Sequence, residues 1–246
     1  MRLNLYLFIL HIFFSILFQI SSIFVTIHAY SILLYGVSLF IKDKDANRLL
    51  ILISYSMGSE LIWRAFATNI FWEYGKIISI ILLLFIFLRM NIDRLYGKIG
   101  FIYISLLLPS IITIDTLSRS DLSHALLGPI LMGTGIIIFS NMEIDRELFI
   151  KMIAFGLMPI LSLLVITLTN TISEGSFNYI SAYLHRIETG GIGPNQASNI
   201  LGLGALFSFL LMQLCNGRDR IIVQIVGITA IIQTMLTHSR GGFWNV

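Results

Sequence analysis

Residues 3–41 read LNLYLFILHIFFSILFQISSIFVTIHAYSILLYGVSLFI and contain no Asp, Glu, Lys or Arg. As one helix this segment would be about 58 Å long, at about 1.5 Å per residue. The hydrocarbon core of a bilayer is only about 30 Å thick. The segment therefore predicts two membrane-spanning helices joined by a tight turn, and the polar residues 19–22 are the best place for that turn.

The composition of the whole chain extends this prediction. Only 12% of the 246 residues are charged and 57% are hydrophobic, with a mean hydropathy of +0.89. Ordinary soluble domains carry about 25% charged residues, because their surface must be compatible with water. The sequence therefore predicts a polytopic integral membrane protein. The single cysteine, Cys215, excludes an intrachain disulfide, and we interpret it as a small buried apolar residue.

The apolar segments lie between short charged clusters. Strands of a membrane barrel would alternate apolar and polar residues over about ten positions, whereas these segments are longer and evenly apolar. We therefore expect an all-α polytopic membrane helical bundle of about nine transmembrane helices. It would form a single domain over residues 1–246. The expected spans are 4–20, 23–41, 49–67, 72–88, 99–115, 122–140, 152–170, 196–215 and 221–238.

Positive charge sets the predicted orientation. Seventeen charged residues fall in four clusters at 42–48, 89–98, 143–151 and 218–220, and together with Arg2 this side receives eleven basic residues. Basic loops stay in the cytoplasm, so we predict a cytoplasmic N-terminus. The basic residues border apolar segments and form no exposed patch, which argues against nucleic-acid binding. The five basic residues on the other side are Arg64, Lys76, Arg119, Arg186 and Arg240.

One predicted external loop, about residues 170–195, is longer than the others. A connection of this length is usually functional or disordered, and its aromatic and aliphatic residues argue against a disordered linker. On the same side, Glu60 and Arg64 lie four residues apart on one face of the third helix, in the favourable order for an ion pair. They are either a functional supporting pair or an internal salt bridge that lowers the cost of burial.

The end of this loop has the pattern expected of an anion site. Arg186 precedes a glycine-rich turn with Gly191 and Gly193, which leads into an apolar helix at Asn195. Glycine lets successive N–H groups point one way, and we expect Asn195 to cap a helix whose N-terminus favours negative charge. The pattern suits a phosphate or diphosphate. An ordinary connection between two helices has the same features.

A second motif, SRGG at residues 239–242, lies one helical hairpin later on the same predicted side. Arg240 and Arg186 would then reach the same boundary between water and membrane. Two arginines with little carboxylate nearby suit a diphosphate clamp, whereas each alone would serve as a snorkelling anchor. The five histidines show no metal-ligand spacing, so we expect neither a metal nor a cofactor.

Together, RIETGGIGPNQA at residues 186–197, the following helical hairpin and SRGG resemble the bacterial O-antigen polymerase and O-antigen ligase superfamily. The resemblance implies a multi-pass glycosyltransferase of the bacterial inner membrane, acting on a glycan linked to undecaprenyl diphosphate at the periplasmic face. The implied partners are this lipid-linked oligosaccharide, membrane lipid and surface-glycan assembly proteins. The residues expected to bind the diphosphate are Arg186, Arg240, Gly191, Gly193, Asn195 and Ser239.

The sequence also departs from the family pattern. Family members continue beyond SRGG into further helices and a large external loop with a catalytic histidine, whereas this sequence ends at Val246, so we expect an incomplete enzyme. His185, Glu188 and His238 are the nearest substitutes for the general base, on proximity alone. Two alternatives stay open: a non-enzymatic transporter or flippase of lipid-linked glycan, and an inactive fragment that keeps only the carrier-lipid site.

Overall fold

The computed structural model describes residues 5–42, 45–67, 69–90, 97–107, 109, 119–173 and 194–236. Within these ranges every regular element is an α-helix, which confirms the predicted all-α class for the described chain. Each helix corresponds to one predicted apolar segment. The helices are α1 (Leu5–Ile20), α2 (Ser22–Lys42), α3 (Ala46–Phe66), α4 (Tyr74–Phe87), α5 (Gly97–Ser105), α6 (Arg119–Phe139), α7 (Arg146–Ser173), α8 (Pro194–Leu214) and α9 (Gly217–Leu236).

Five of these helices, α2, α3, α7, α8 and α9, are long and apolar enough to cross a membrane. The apolar parts of α1, α4 and α6 are shorter. Large apolar side chains cover much of the surface, and in α1 Tyr6 and Ile9 are 84% and 55% exposed. A surface of this kind is compatible with lipid and not with water. The structure therefore supports a membrane-spanning helical protein, while the count of nine spans stays a prediction.

α1 and α2 form the N-terminal hairpin that the uncharged segment predicts. The break is a single residue, Ser21, inside the predicted turn at 19–22. Its N–H donates to the Leu17 carbonyl (3.1 Å), and its hydroxyl oxygen accepts from the Ile23 N–H (3.3 Å). A hydroxyl that accepts a backbone N–H satisfies one of the free donors at a helix start. One polar residue thus ends the first helix and starts the second.

Among the helices that begin earlier than the apolar segments predict, two have a clear cap. α3 begins at Ala46 rather than 49, because the Asp45 side chain accepts from the Asn47 N–H (2.9 Å) and caps the helix. α7 begins at 146 rather than 152, and there the Asp145 side chain accepts from the Leu148 N–H (2.7 Å). Hydropathy detects the apolar body of a helix but not a polar first turn held by a cap.

The predicted fifth span differs more. α5 covers only nine residues and ends at Ser105, whereas the apolar segment predicts a helix over 99–115. Residues 108 and 110–118 lie outside the described part of the chain. The second half of this prediction is therefore untested.

α3 and α7 pack closely and run parallel. The Ser54 hydroxyl donates to the Met152 carbonyl (2.7 Å), and one turn later Gly58 lies against Gly156. A Cβ at position 58 would lie 2.4 Å from the Gly156 carbonyl oxygen, closer than any carbon–oxygen contact allows. Small residues let helix backbones approach in this way inside a membrane, where dispersion between facing atoms stabilises the contact.

The helices alternate in direction, which gives the bundle two ends. α3 and α7 run towards the same end, which we call the Arg64 end after Arg64 in the last turn of α3. The opposite end, which we call the basic end, holds every described residue of the four basic clusters. Which side of a membrane the basic end faces stays a prediction. These basic residues are Lys42, Arg48, Arg89, Lys98, Arg146, Lys151, Arg218 and Arg220.

Candidate functional site

Four charged side chains form a cluster at the Arg64 end. Glu60 and Arg64 of α3 form an ion pair between Oε1 and Nη2, so the predicted pair is made. Glu73 Oε2 lies 3.8 Å from Arg64 Nη2 and 2.7 Å from the Nζ of Lys76, at the start of α4. The Arg64 and Glu73 side chains are only 8% and 5% exposed. Two carboxylates and two cations thus neutralise one another in a buried chain of contacts.

Two neighbours fix the geometry of this cluster. Gly75 packs against Glu60, because a Cβ at position 75 would lie 2.7 Å from Glu60 Cγ. Only glycine therefore lets the first turn of α4 approach α3 at this point. On another side, the guanidinium carbon of Arg64 lies 4.8 Å from the centre of the Trp72 ring, within cation–π range. Arg64 is held by carboxylates and an aromatic face at once.

Arg64 also reaches the GPNQ segment that the sequence singles out. Its Nη1 lies 3.5 Å from Oε1 of Gln196, in the first turn of α8. This is the long limit of a hydrogen bond, so the contact orients more than it stabilises. Within the described residues, the buried Nε of Arg64 makes no hydrogen bond. The charged cluster and the GPNQ segment are therefore neighbours in space, although Arg64 and Gln196 are 132 residues apart in sequence.

The first turn of α8 differs from the prediction in one respect. The helix begins at Pro194, so Asn195 is its second residue and the predicted cap at Asn195 is wrong. Proline is favoured at the first helical position, because its fixed φ suits the helix and it has no N–H to leave unpaired. Asn195 is exposed, and its backbone carbonyl accepts from the Ser198 hydroxyl (3.0 Å). The first turn of α8, whose N–H groups have no acceptor within the helix itself, lies at the Arg64 end.

The last turn of α9 lies at the same end. Gln233 is buried, and its Nε2 donates to the Thr171 hydroxyl (2.9 Å) in the last turn of α7. Nearby, the Thr169 hydroxyl donates to Oε1 of Gln19 near the end of α1 (3.3 Å). α8 therefore begins, and α9 ends, at the end of the bundle that carries the charged cluster. The two motifs adjoin α8 and α9 at these points, because one precedes Pro194 and the other follows Leu236.

Most of the predicted site residues lie outside the described part of the chain, so the diphosphate clamp and the identity of the base stay predictions. The described part holds no group of three or more His, Cys, Asp or Glu side chains with metal-binding geometry. The predicted residues that lie outside it are His185, Arg186, Glu188, Gly191, Gly193, His238, Ser239 and Arg240.

Sequence reasoning missed the extent of the charged cluster. It predicts only the Glu60–Arg64 pair, whereas Glu73 and Lys76 join this pair in one chain of contacts. The available signal was their own i,i+3 spacing at a helix start, together with an aromatic residue, Trp72, directly before them. That signal indicates a local pair but not which helix it packs against.

Comparison with known proteins adds no relative. No protein-family model, no curated protein sequence and no solved structure matches the chain.

Proposed function

We propose that the chain is a glycosyltransferase-like protein of the bacterial inner membrane, acting on a glycan linked to undecaprenyl diphosphate at the periplasmic face. The resemblance of residues 186–197 and 239–242 to O-antigen polymerases and ligases suggests this activity. One structural observation carries it further. The helix that follows the first motif contacts the charged cluster through Gln196, and the helix that precedes the second ends at the same end of the bundle, where Gln233 contacts Thr171 of α7.

The proposed reaction is a sugar transfer without a metal. An acceptor hydroxyl attacks the anomeric carbon of the lipid-linked sugar, the bond from that carbon to the diphosphate oxygen breaks, and a base takes the hydroxyl proton. Negative charge grows on the departing diphosphate, and fixed cations already in place stabilise it at little reorganisation cost. Arg186 and Arg240 are the proposed cations, and His185, Glu188 or His238 is the proposed base.

Arg64 has a different role in this proposal. Its charge is neutralised by Glu60 and Glu73, so it adds little attraction for a diphosphate. Its Nη1 instead contacts Gln196, the last residue of GPNQ. Arg64 would therefore act as a positioning residue, which holds the start of α8 so that the preceding glycine turn and Arg186 face the lipid carrier.

The test is glycan extension or transfer in cells that lack their own polymerase and ligase and express the complete gene product. Arg186→Ala and Arg240→Ala should each abolish the product, since removal of one stabilising group costs about 10²–10³ in rate. Lys151→Ala is the matched control, because Lys151 is a half-exposed cation at the basic end that pairs with Glu147. Activity that survives both arginine substitutions would overturn the clamp.

A second arm separates positioning from binding. Arg64→Lys keeps the charge but loses the planar fork that spans Glu60 and Gln196. We expect it to lower the turnover of bound lipid carrier while carrier binding to the membrane protein changes little. Equal loss of binding in Arg64→Lys and Arg186→Ala would instead place Arg64 among the groups that hold the diphosphate.

A further inference from the structure

A chain of five hydrogen-bonded side chains runs through the interior, away from the charged cluster. It starts at Trp63 of α3, whose Nε1 lies 2.9 Å from Nδ1 of His28 in α2. Nε2 of His28 lies 2.8 Å from the Tyr55 hydroxyl, and that hydroxyl lies 3.3 Å from Nε2 of His11 in α1. Nδ1 of His11 lies 3.0 Å from the Ser162 hydroxyl of α7. Four helices are therefore joined by one series of polar contacts.

The hydrogen bonds between these five side chains can run from donor to acceptor in one direction only, because an indole N–H can donate but not accept. Nδ1 of His28 must therefore accept from Trp63, which places the proton of a neutral His28 on Nε2. That proton points to the Tyr55 oxygen, so the Tyr55 hydroxyl donates to Nε2 of His11. The proton of a neutral His11 then lies on Nδ1 and points to Ser162. The first atom of the chain thus determines the tautomer of both histidines.

Neither end of this series of hydrogen bonds can pass a proton on. The indole of Trp63 cannot relay a proton, and at the other end the Ser162 hydroxyl donates to the backbone carbonyl of His11 (2.8 Å). All four ring nitrogens have a partner, so this chain is neither a proton wire nor an empty site. Its effect is to fasten the α1–α2 hairpin to α3 and α7, since His11 and His28 belong to the hairpin and their partners do not.

The surroundings of the two rings are aromatic and uncharged; His11 is buried, whereas His28 is partly exposed. From α1, the Phe14 and Phe18 rings lie 5.6 Å and 5.3 Å from the His28 ring, centre to centre. The titratable groups that face His28 are His11 from α1 and Tyr55 from α3. α4 adds Tyr74, which packs on Trp63 (5.7 Å), and from α7 only the neutral Ser162 reaches the chain. Among the described residues, no contact of either ring is with a carboxylate.

A second proton on His28 has no acceptor in this arrangement. It would lie on Nδ1 and face the indole N–H across 2.9 Å, so two donors would meet. Trp63 is 1% exposed and cannot turn away without leaving its packing. A second proton on His11 is less disruptive, because the Tyr55 hydroxyl can rotate. His28 is therefore the point at which acid breaks the chain.

We infer that Trp63, His28, Tyr55, His11 and Ser162 form an acid-sensitive clasp, which holds the α1–α2 hairpin on α3 and α7 while both imidazoles are neutral and loosens when His28 takes up a proton. Histidine is the side chain suited to such a response, because among neutral side chains its imidazole takes up a proton most readily near neutral pH. The inference does not depend on the proposed transferase activity.

The first experiment determines the tautomers in the complete chain in lipid nanodiscs, with ¹⁵N-labelled histidine and NMR at neutral pH. We expect His28 to carry its proton on Nε2 and His11 on Nδ1. Trp63→Phe keeps the aromatic packing but removes the donor, and it should release His28 from its fixed tautomer. Trp72→Phe is the matched control, because the Trp72 ring packs on the Arg64 guanidinium and is not one of the five hydrogen-bonded side chains. The reverse tautomer in the unsubstituted protein would overturn the clasp, whether or not any variant folds.

The second experiment tests the acid response. In a background with Trp72→Phe and Trp244→Phe, Trp63 is the only fluorophore of its kind, and a protonated imidazole beside an indole quenches it. We expect its emission to fall in one step as the pH is lowered from about 8 to about 3. His28→Asn keeps an acceptor for Trp63 without a titrating ring and should lose the step, whereas Glu60→Gln should keep it. A step that persists in His28→Asn, or disappears in Glu60→Gln, would refute the inference.

Discussion

Replacing Gly58 with alanine should destabilise the bundle, because it pushes α3 away from α7. A Cβ at position 58 would lie 2.4 Å from the Gly156 carbonyl oxygen and 2.8 Å from Pro159 Cγ. Even a close C–H···O contact needs about 3.3 Å, so the two helices must separate by about 1 Å. A gap of that size loses up to about half of the attraction between facing atoms. Overpacking of this kind costs about 1–3 kcal/mol.

Gly135→Ala in α6 is the matched control, because a Cβ there would make only ordinary van der Waals contacts with the Phe139 ring, at 3.8 Å and 3.9 Å. Both substitutions gain the same helix propensity of about 1 kcal/mol, so the difference between the two free energies of unfolding isolates the clash. We expect Gly58→Ala to be less stable than Gly135→Ala by about 1–3 kcal/mol, measured by denaturant titration in detergent micelles. Stabilities that agree within about 0.5 kcal/mol would refute the close packing of α3 on α7.

Two other substitution and labelling experiments concern buried polar groups. Arg64→Ala should lower the free energy of unfolding by about 3–5 kcal/mol, because Glu60 and Glu73 stay buried with Lys76 as the remaining cation of the cluster. Adding Glu60→Gln should recover part of this loss, and a double variant no more stable than Arg64→Ala would contradict it. Burial raises the pKa of the Cys215 thiol, and the negative charge of Asp219 raises it further. A maleimide should therefore label the folded protein slowly at neutral pH, and faster in denaturant or at higher pH. Rapid labelling of the folded chain at neutral pH would contradict this burial.

The helices could be predicted from the sequence because each one is a long apolar segment between polar residues. Their exact starts could not, since Asp45 and Asp145 act through one side-chain hydrogen bond each, which average hydropathy does not register. The turn at Ser21 was predictable for the opposite reason. The uncharged segment is too long to cross the bilayer once, so it has to turn, and the closest group of polar residues near its middle, Gln19, Ser21 and Ser22, marks the place.

The partners of each helix were not predictable in the same way. In a soluble protein an apolar stripe indicates the buried face, but lipid is as apolar as the interior of the bundle, so both faces of these helices look alike in sequence. The Glu60–Arg64 pair was visible because both residues belong to one helix. The contacts of Arg64 with Gln196, and of His11 with Ser162, join residues 132 and 151 apart in sequence. No local pattern records them.

Charge balance at the Arg64 end limits where an anion can bind. Two of the five basic residues predicted on that side, Arg64 and Lys76, lie within ion-pair distance of buried carboxylates. A diphosphate attracted to them would compete with carboxylates already in place, at a net charge close to zero. A diphosphate site at this end must therefore draw its positive charge from elsewhere. The other basic residues predicted there are Arg119, Arg186 and Arg240, and the last two lie in the motifs that adjoin α8 and α9.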